Sequence, residues 1–292
     1  MKFLENMINM YGEQGKTWLA SLPEITANLS AAWNLRDLKE HDNLSFNYVL
    51  DGLQNNRPVI LKIGIDQASV KNEVAALSAF QGYGMVELLA TDLEHSAMLL
   101  ERLIPGKTLT TLIPAQDSTA LKIACNVIDR LHQAPIPANN KFPTLAHLLQ
   151  VLDQDWDLPQ QYLSTARSLR DTLLKDTSHD VLLHGDLHFD NILSNADSWA
   201  VIDPKGVIGN ATYDKIGCLL REPLAKLLQV ADLRALLTAR MQTIAQHFGL
   251  EPKVILDWTY MHTVMAICWC IEDKQDPGKM LEFLQIIAAM RT

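Results

Sequence analysis

The most constraining stretch of this chain is a polar loop set between two apolar runs. Val181-Leu182-Leu183 leads into His184-Gly185-Asp186-Leu187-His188-Phe189-Asp190-Asn191, Ile192 and Leu193 follow, and a second run, Val201-Ile202, ends on Asp203-Pro204. Apolar runs this short, bounded by turn-forming residues, read as a small β-hairpin on an otherwise helical body. In that geometry one loop presents Asp186 and Asn191 together. The returning strand brings Asp203, 17 positions after Asp186, back beside them.

The rest of the chain frames this loop. From Phe3 to about Leu35 apolar residues recur at helical spacing, which predicts two short helices with Pro23 opening the second. From Leu44 to Ile65 the pattern changes to Ser45-Phe46-Asn47-Tyr48-Val49-Leu50, a turn-prone Gln54-Asn55-Asn56-Arg57-Pro58, and Val59-Ile60-Leu61-Lys62-Ile63, a β-hairpin. A helix is expected over 67–80, then strands over 85–89 and 96–101. Beyond Ile104-Pro105-Gly106 the pattern is helical over 119–132, 145–151, 160–175 and from Pro223 onward. The reading is therefore an α+β chain with a β-rich unit, 1–104, and a mostly helical one, 105–292, divided near Ile104 to Thr110.

A chain of 292 residues with 48% hydrophobic and 20% charged residues can bury a sizeable core without staples. Its formal charge of -9, with no run of Lys and Arg, argues against a nucleic-acid partner and favours a cationic ligand. Cys125, Cys218, Cys268 and Cys270 are scattered; the last two form a C-x-C that reads as buried thiols or a metal site. With no leader-like N-terminus and no stretch near the roughly 18 apolar residues of a membrane span, a cytoplasmic protein is expected.

Phosphoryl transfer needs a carboxylate to orient and deprotonate the attacking hydroxyl, and oxygen ligands for the Mg²⁺ that bridges the nucleotide phosphates. Asp186 suits the first task, Asn191 and Asp203 the second. The string His184-Gly185-Asp186…Asn191 with Val201-Ile202-Asp203-Pro204 resembles the aminoglycoside phosphotransferase branch of the protein-kinase-like fold, in which His-Gly-Asp replaces His-Arg-Asp and Ile-Asp-Pro replaces Asp-Phe-Gly. Tyr11 to Pro23 and Ile202-Asp203-Pro204-Lys205-Gly206-Val207-Ile208-Gly209 are similar to the streptomycin 6-kinase and hydroxyurea phosphotransferase subgroup.

The resemblance implies a two-lobe fold with a nucleotide cleft, ATP and Mg²⁺ as cofactors, and O-phosphorylation of a streptomycin-like aminoglycoside or amino-sugar that inactivates it. By position it makes Lys62 the lysine for the α and β phosphates. Glu73 is its ion-pair partner or else a surface charge. Backbone groups of Glu101 and Leu103 would meet the adenine edge. No G-x-G-x-x-G precedes Lys62; the matching stretch is His41 to Tyr48, with Asn43 and Ser45 as phosphate-loop candidates. Gly12-Glu13-Gln14-Gly15-Lys16-Thr17 lacks the first glycine of a P-loop and reads as a joint between helices.

For the acceptor, residues 151–292 carry 19 acidic and 13 basic side chains against 15 and 12 before them. By family resemblance Asp190, Asp214, Glu222, Glu272 and Asp273 are candidate ligands for ammonium groups. Trp269 is an aromatic wall for a sugar or a core residue. His188 is expected to order the catalytic loop. Rival readings are a metabolite kinase for a ketosamine, choline, homoserine or sugar on the same fold, and a nucleotide-binding module without turnover. A protein kinase is disfavoured because no activation segment rich in Ser, Thr and Gly follows Asp203.

Overall fold

The structure, a computed structural model, describes residues 2–42, 44 and 46–291. It opens on α1 (Lys2–Trp33), which folds back at Gly12, where φ is +56°. The Phe3 and Trp18 rings meet at 6.1 Å, whereas 15 residues of unbroken helix would hold them about 22 Å apart. The two arms are the two expected helices, but the second starts just past Gly12, and Pro23 lies exposed inside it. Packing of Leu22 and Leu29 on the sheet carries the helix through the proline.

Five strands follow around α2 (Gln67–Ala79): β1 (Leu35–Glu40), β2 (Tyr48–Gln54), β3 (Arg57–Ile63), β4 (Leu88–Asp92) and β5 (Ala97–Glu101). They form one antiparallel sheet in the order β1-β2-β3-β5-β4. Asn55 and Asn56, with φ of +49° and +67°, make the tight turn between β2 and β3. Asp66 caps α2 by accepting from the Ala68 and Ser69 amides. Strand β5 shows why its run is apolar throughout: Ala97 and Leu99 face α1, while Met98 and Leu100 join the core below.

Two expectations are corrected here. β1 was not foreseen, because a bulge between Arg36 and Lys39 and a positive φ at Asp37 break its alternation. β4 starts at Leu88 rather than Met85. The preceding residues instead bond across the cleft, Val86 N–H to Val201 O at 2.8 Å and Val201 N–H to Gly84 O at 2.9 Å.

The remainder is the helical lobe. In chain order it contains β6 (Pro105–Thr108), α3 (Asp117–Leu131), α4 (Leu145–Leu148), α5 (Gln160–Leu173), β7 (Asp180–Leu183), β8 (Ile192–Asn195), β9 (Ser198–Val201), β10 (Val207–Asn210), α6 (Thr212–Ile216), α7 (Leu224–Leu227), α8 (Leu233–Phe248), α9 (Pro252–Glu272) and α10 (Gly278–Arg291). β8 and β9 are the expected hairpin, joined on its outer edge by β6, while β7 pairs with β10 in a second ribbon. α9 corrects the reading of membrane spans, since its length and composition would suit one. Fourteen of its 21 residues are buried, packed against α5, α6, α8 and α10. All four cysteines are free and buried.

Candidate active site

The catalytic loop starts where β7 ends. Gly185 has φ of +85°, and a Cβ there would come within 2.9 Å of Val207 Cγ2, so only glycine fits this turn. Asp214, on α6 and 2% exposed, holds the turn from beneath: its Oδ2 accepts from His184 N–H at 2.7 Å and its Oδ1 from Gly185 N–H at 3.1 Å. His132 Nε2 lies 3.3 Å from the same carboxylate.

His184 is fully buried, and burial lowers its imidazole pKa, with the Asp214 charge opposing. The neutral ring has one consistent tautomer. Nε2–H donates to Ile202 O at 2.8 Å, and Nδ1 accepts the Asp186 N–H at 3.2 Å. One side chain thus ties the Asp186 backbone to the strand end that leads into Asp203. Asn191 completes the brace: its Nδ2 donates to Asp186 O at 2.9 Å, and its own carbonyl accepts from Ile202 N–H at 3.0 Å. With Nδ2 committed, Oδ1 is the atom of this side chain left to hold a cation.

Lys62 reaches the same place from the sheet. Its cross-strand neighbour is Met98, so it shares the face turned toward α2. Lys62 is 4% exposed, and its ammonium lies 2.7 Å from Glu73 Oε1 and 2.9 Å from Asp203 Oδ1. Burial disfavours the ammonium, but the two carboxylates outweigh it and raise the Lys62 pKa. Burial pushes the Glu73 carboxyl up against the pull of Lys62. At Asp203 burial again acts upward, but the charge and hydrogen bond of Lys62 prevail and the pKa is lowered. Asp203 has φ of +60°, a left-handed conformation that the surrounding bonds impose. Asp203 and Asn191 Oδ1 offer hard oxygen donors, which fit Mg²⁺.

The structure brings Asp186, Asn191, Asp203, Lys62 and Glu73 together. At the hinge the Glu101 N–H is taken by Glu87 O at 3.0 Å, while Leu103 makes no backbone hydrogen bond among the described residues. The amide left for a ligand is therefore that of Leu103. Asn43 and Ser45 lie outside the described residues. Asp190 is exposed beside Asn191. Glu222 is 29% exposed, its oxygens held by Arg221 Nε at 2.9 Å and the Leu224 N–H at 3.2 Å.

The other acceptor candidates are elsewhere. Asp214 is corrected from a substrate ligand to the anchor of the catalytic loop, both oxygens being committed to its amides. Trp269 is half-buried against the main core, and Glu272 and Asp273 stand exposed at the far end of α9. α9 meets the catalytic region at His262, whose ring is 5.1 Å from Tyr213; Glu272 is ten residues further, about 15 Å along the helix. Arg240 was also missed. It is 1% exposed and donates to the carbonyls of Leu219 at 2.8 Å and Glu222 at 2.7 Å, fixing the backbone around Glu222. Only its place among apolar residues of a helix could have signalled it.

Residues 42–274 match the family described as aminoglycoside/hydroxyurea antibiotic resistance kinase. The streptomycin 6-kinase of Streptomyces griseus is 26% identical over 280 residues, covering 90% of this chain and 87% of that one. The streptomycin 3''-kinase of Klebsiella pneumoniae is 29% identical over 234 residues, covering 77% and 85%. A similar solved structure is an aminoglycoside phosphotransferase in complex with ADP and hygromycin B, at a TM-score of 0.65 and 12% identity, over 89% of this chain and 97% of that one. The two-lobe protein-kinase-like fold, the gathered carboxylates and lysine, and these relatives make the chain a phosphotransferase with an alcohol group as acceptor, and it belongs to the aminoglycoside/hydroxyurea antibiotic resistance kinase family.

Proposed function

We propose that this enzyme transfers the terminal phosphoryl group of ATP to a hydroxyl of a streptomycin-like aminoglycoside and so inactivates it. The observation that carries the reading is the meeting of Lys62, Glu73 and Asp203 with the Asp186–Asn191 loop in one cleft. Lys62 holds the inner phosphates as a buried, permanently charged donor. Asp186, whose carboxylate makes no ion pair among the described residues, orients the acceptor hydroxyl and takes its proton. Asp203 and Asn191 Oδ1 would hold Mg²⁺, which when bound supplies charge neutralisation at the phosphates. Asp190 and Glu222 present carboxylates to the cationic acceptor; the 1–104 unit binds the nucleotide, and the 105–292 unit carries the catalytic loop and the acceptor pocket. The relatives named as streptomycin kinases support the acceptor class.

A coupled ADP-release assay over streptomycin, other aminoglycosides, ketosamines, choline and simple sugars tests this. Turnover confined to streptomycin-like compounds and lost in Asp203→Ala is the expected result. Turnover on a ketosamine or choline instead would make the enzyme a metabolite kinase.

A further inference from the structure

The donor site is short of positive charge for its task. Between Lys175 and Lys205 the sequence contains no Lys or Arg, so the loop bearing Asp186 and Asn191 brings no guanidinium or ammonium to the group being transferred. Lys62 is buried and already shared by two carboxylates. A phosphoryl group in flight spreads negative charge over its equatorial oxygens and is stabilised by cations set in advance.

Resting on the reading of a nucleoside triphosphate as donor, we propose that Lys205 is a further catalytic residue whose ammonium contacts the terminal phosphoryl group. Its backbone is fixed from two sides: the N–H donates to His184 O at 2.8 Å, and the carbonyl accepts from Asn72 Nδ2 of α2. The next residue, Gly206, has φ of +64°, and a Cβ there would lie 2.8 Å from Ala76 Cβ and 2.9 Å from Phe142 Cε1. The chain at Lys205 is thus wedged between α2 and the catalytic loop.

Its side chain starts in the right place. Lys205 Cβ is 3.1 Å from where a Cβ on Gly185 would stand, one residue before Asp186. From there the side chain is exposed, and Nζ has no hydrogen-bond or ion-pair partner among the described residues. A cationic acceptor would be repelled by an ammonium here, whereas a phosphate would be drawn to it. In the transfer the bond from the terminal phosphorus to its bridging oxygen breaks and one to the acceptor oxygen forms. The hydroxyl proton goes to Asp186, and Lys205 keeps its own protons throughout.

The test is calorimetric binding of ADP and of AMP-PNP, each with Mg²⁺, to the full chain and to Lys205→Gln, Lys205→Arg and His188→Gln, alongside turnover. Lys205→Gln is expected to leave ADP affinity within about twofold but to weaken AMP-PNP by at least about tenfold, with kcat lower by about a hundredfold. Lys205→Arg restores most of the AMP-PNP preference. An equal loss for both nucleotides, no loss for either, or a loss in His188→Gln with none in Lys205→Gln would each overturn the proposal. Failure of the unmutated chain to bind either nucleotide would instead overturn the donor reading itself.

Discussion

The Lys62 and Asp214 charges are buried and paired: Lys62 is 4% exposed between Glu73 and Asp203, and Asp214 is 2% exposed beneath the loop that bears Asp186. Of the two carboxylates proposed to face the acceptor, Asp190 is exposed and Glu222 partly so. A buried charge persists only with a partner, and removing one partner strands the other. A solvated carboxylate costs little to change. The buried charges are therefore constrained by folding as well as by chemistry, and so is Glu222 where it faces the buried Arg221, whereas the exposed Asp190 can change without endangering the fold.

The widest separation between the two sides is in turnover. Asp186→Ala is expected to lower kcat by at least about a hundredfold, through loss of the base that orients the hydroxyl. Nucleotide affinity should not change, since the Asp186 carboxylate has no part in the Lys62 cluster. Steady-state kinetics with calorimetric nucleotide binding checks both. Near-normal turnover would remove Asp186 from its role.

Stability provides the next contrast. Asp214→Asn turns an amide toward two buried N–H donors, those of His184 and Gly185, and should cost about 2–4 kcal/mol in urea unfolding. Asp190→Asn, on the exposed face of the same loop, should stay within about 0.5 kcal/mol. Equal effects would mean that Asp214 is not the anchor its hydrogen bonds describe.

The same contrast decides what the sequence could show. Asp186, Asn191 and Asp203 sit at fixed distances along one loop and the strand after it, so spacing brings them together, whereas Lys62 is legible only through the family resemblance. Glu73 required only that one helix face turn inward. Asp214 carries no such mark: its carboxylate meets amides 29 and 30 residues away, and in the sequence it looks like any helix-surface acid. For Glu272 and Asp273 the converse holds, because acidity beside a tryptophan says nothing about which end of a 21-residue helix meets the cleft. β1 is hidden by its bulge, and the fold-back of α1 is legible only as glycines inside a helical pattern.

Acid should expose the buried side next. His184 and His262 are both held below the ordinary imidazole value of 6.5 by burial, aided at His262 by the Arg221 charge. As pH falls through that value the unfolded chain takes up protons that the folded chain refuses, so stability is present above it and lost below it. Each ring contributes about 1.4 kcal/mol per pH unit. His95 acts the other way, since its hydrogen bond to Asp92 raises its pKa; being near the surface, it offsets only part. Urea unfolding from about pH 7.5 to about pH 5.5 should show the loss, and His262→Gln should reduce its slope by about one proton. An unchanged slope would mean that His262 is protonated in the folded enzyme.

The smallest effects belong to the acceptor side. Glu222→Gln keeps the contact to the Leu224 amide through its remaining oxygen but removes the carboxylate that faces the buried Arg221 at 2.9 Å; the acceptor KM should rise a few-fold with kcat nearly unchanged, and stability should fall by more than in Asp190→Asn. Glu272→Gln and Asp273→Asn should leave KM, kcat and stability unaltered, because solvent already surrounds both carboxylates. A rise in acceptor KM in either, matching that of Glu222→Gln, would mean that the acceptor reaches the far end of α9, and the division between the buried charges and the carboxylates that face the acceptor would have to be drawn through that helix.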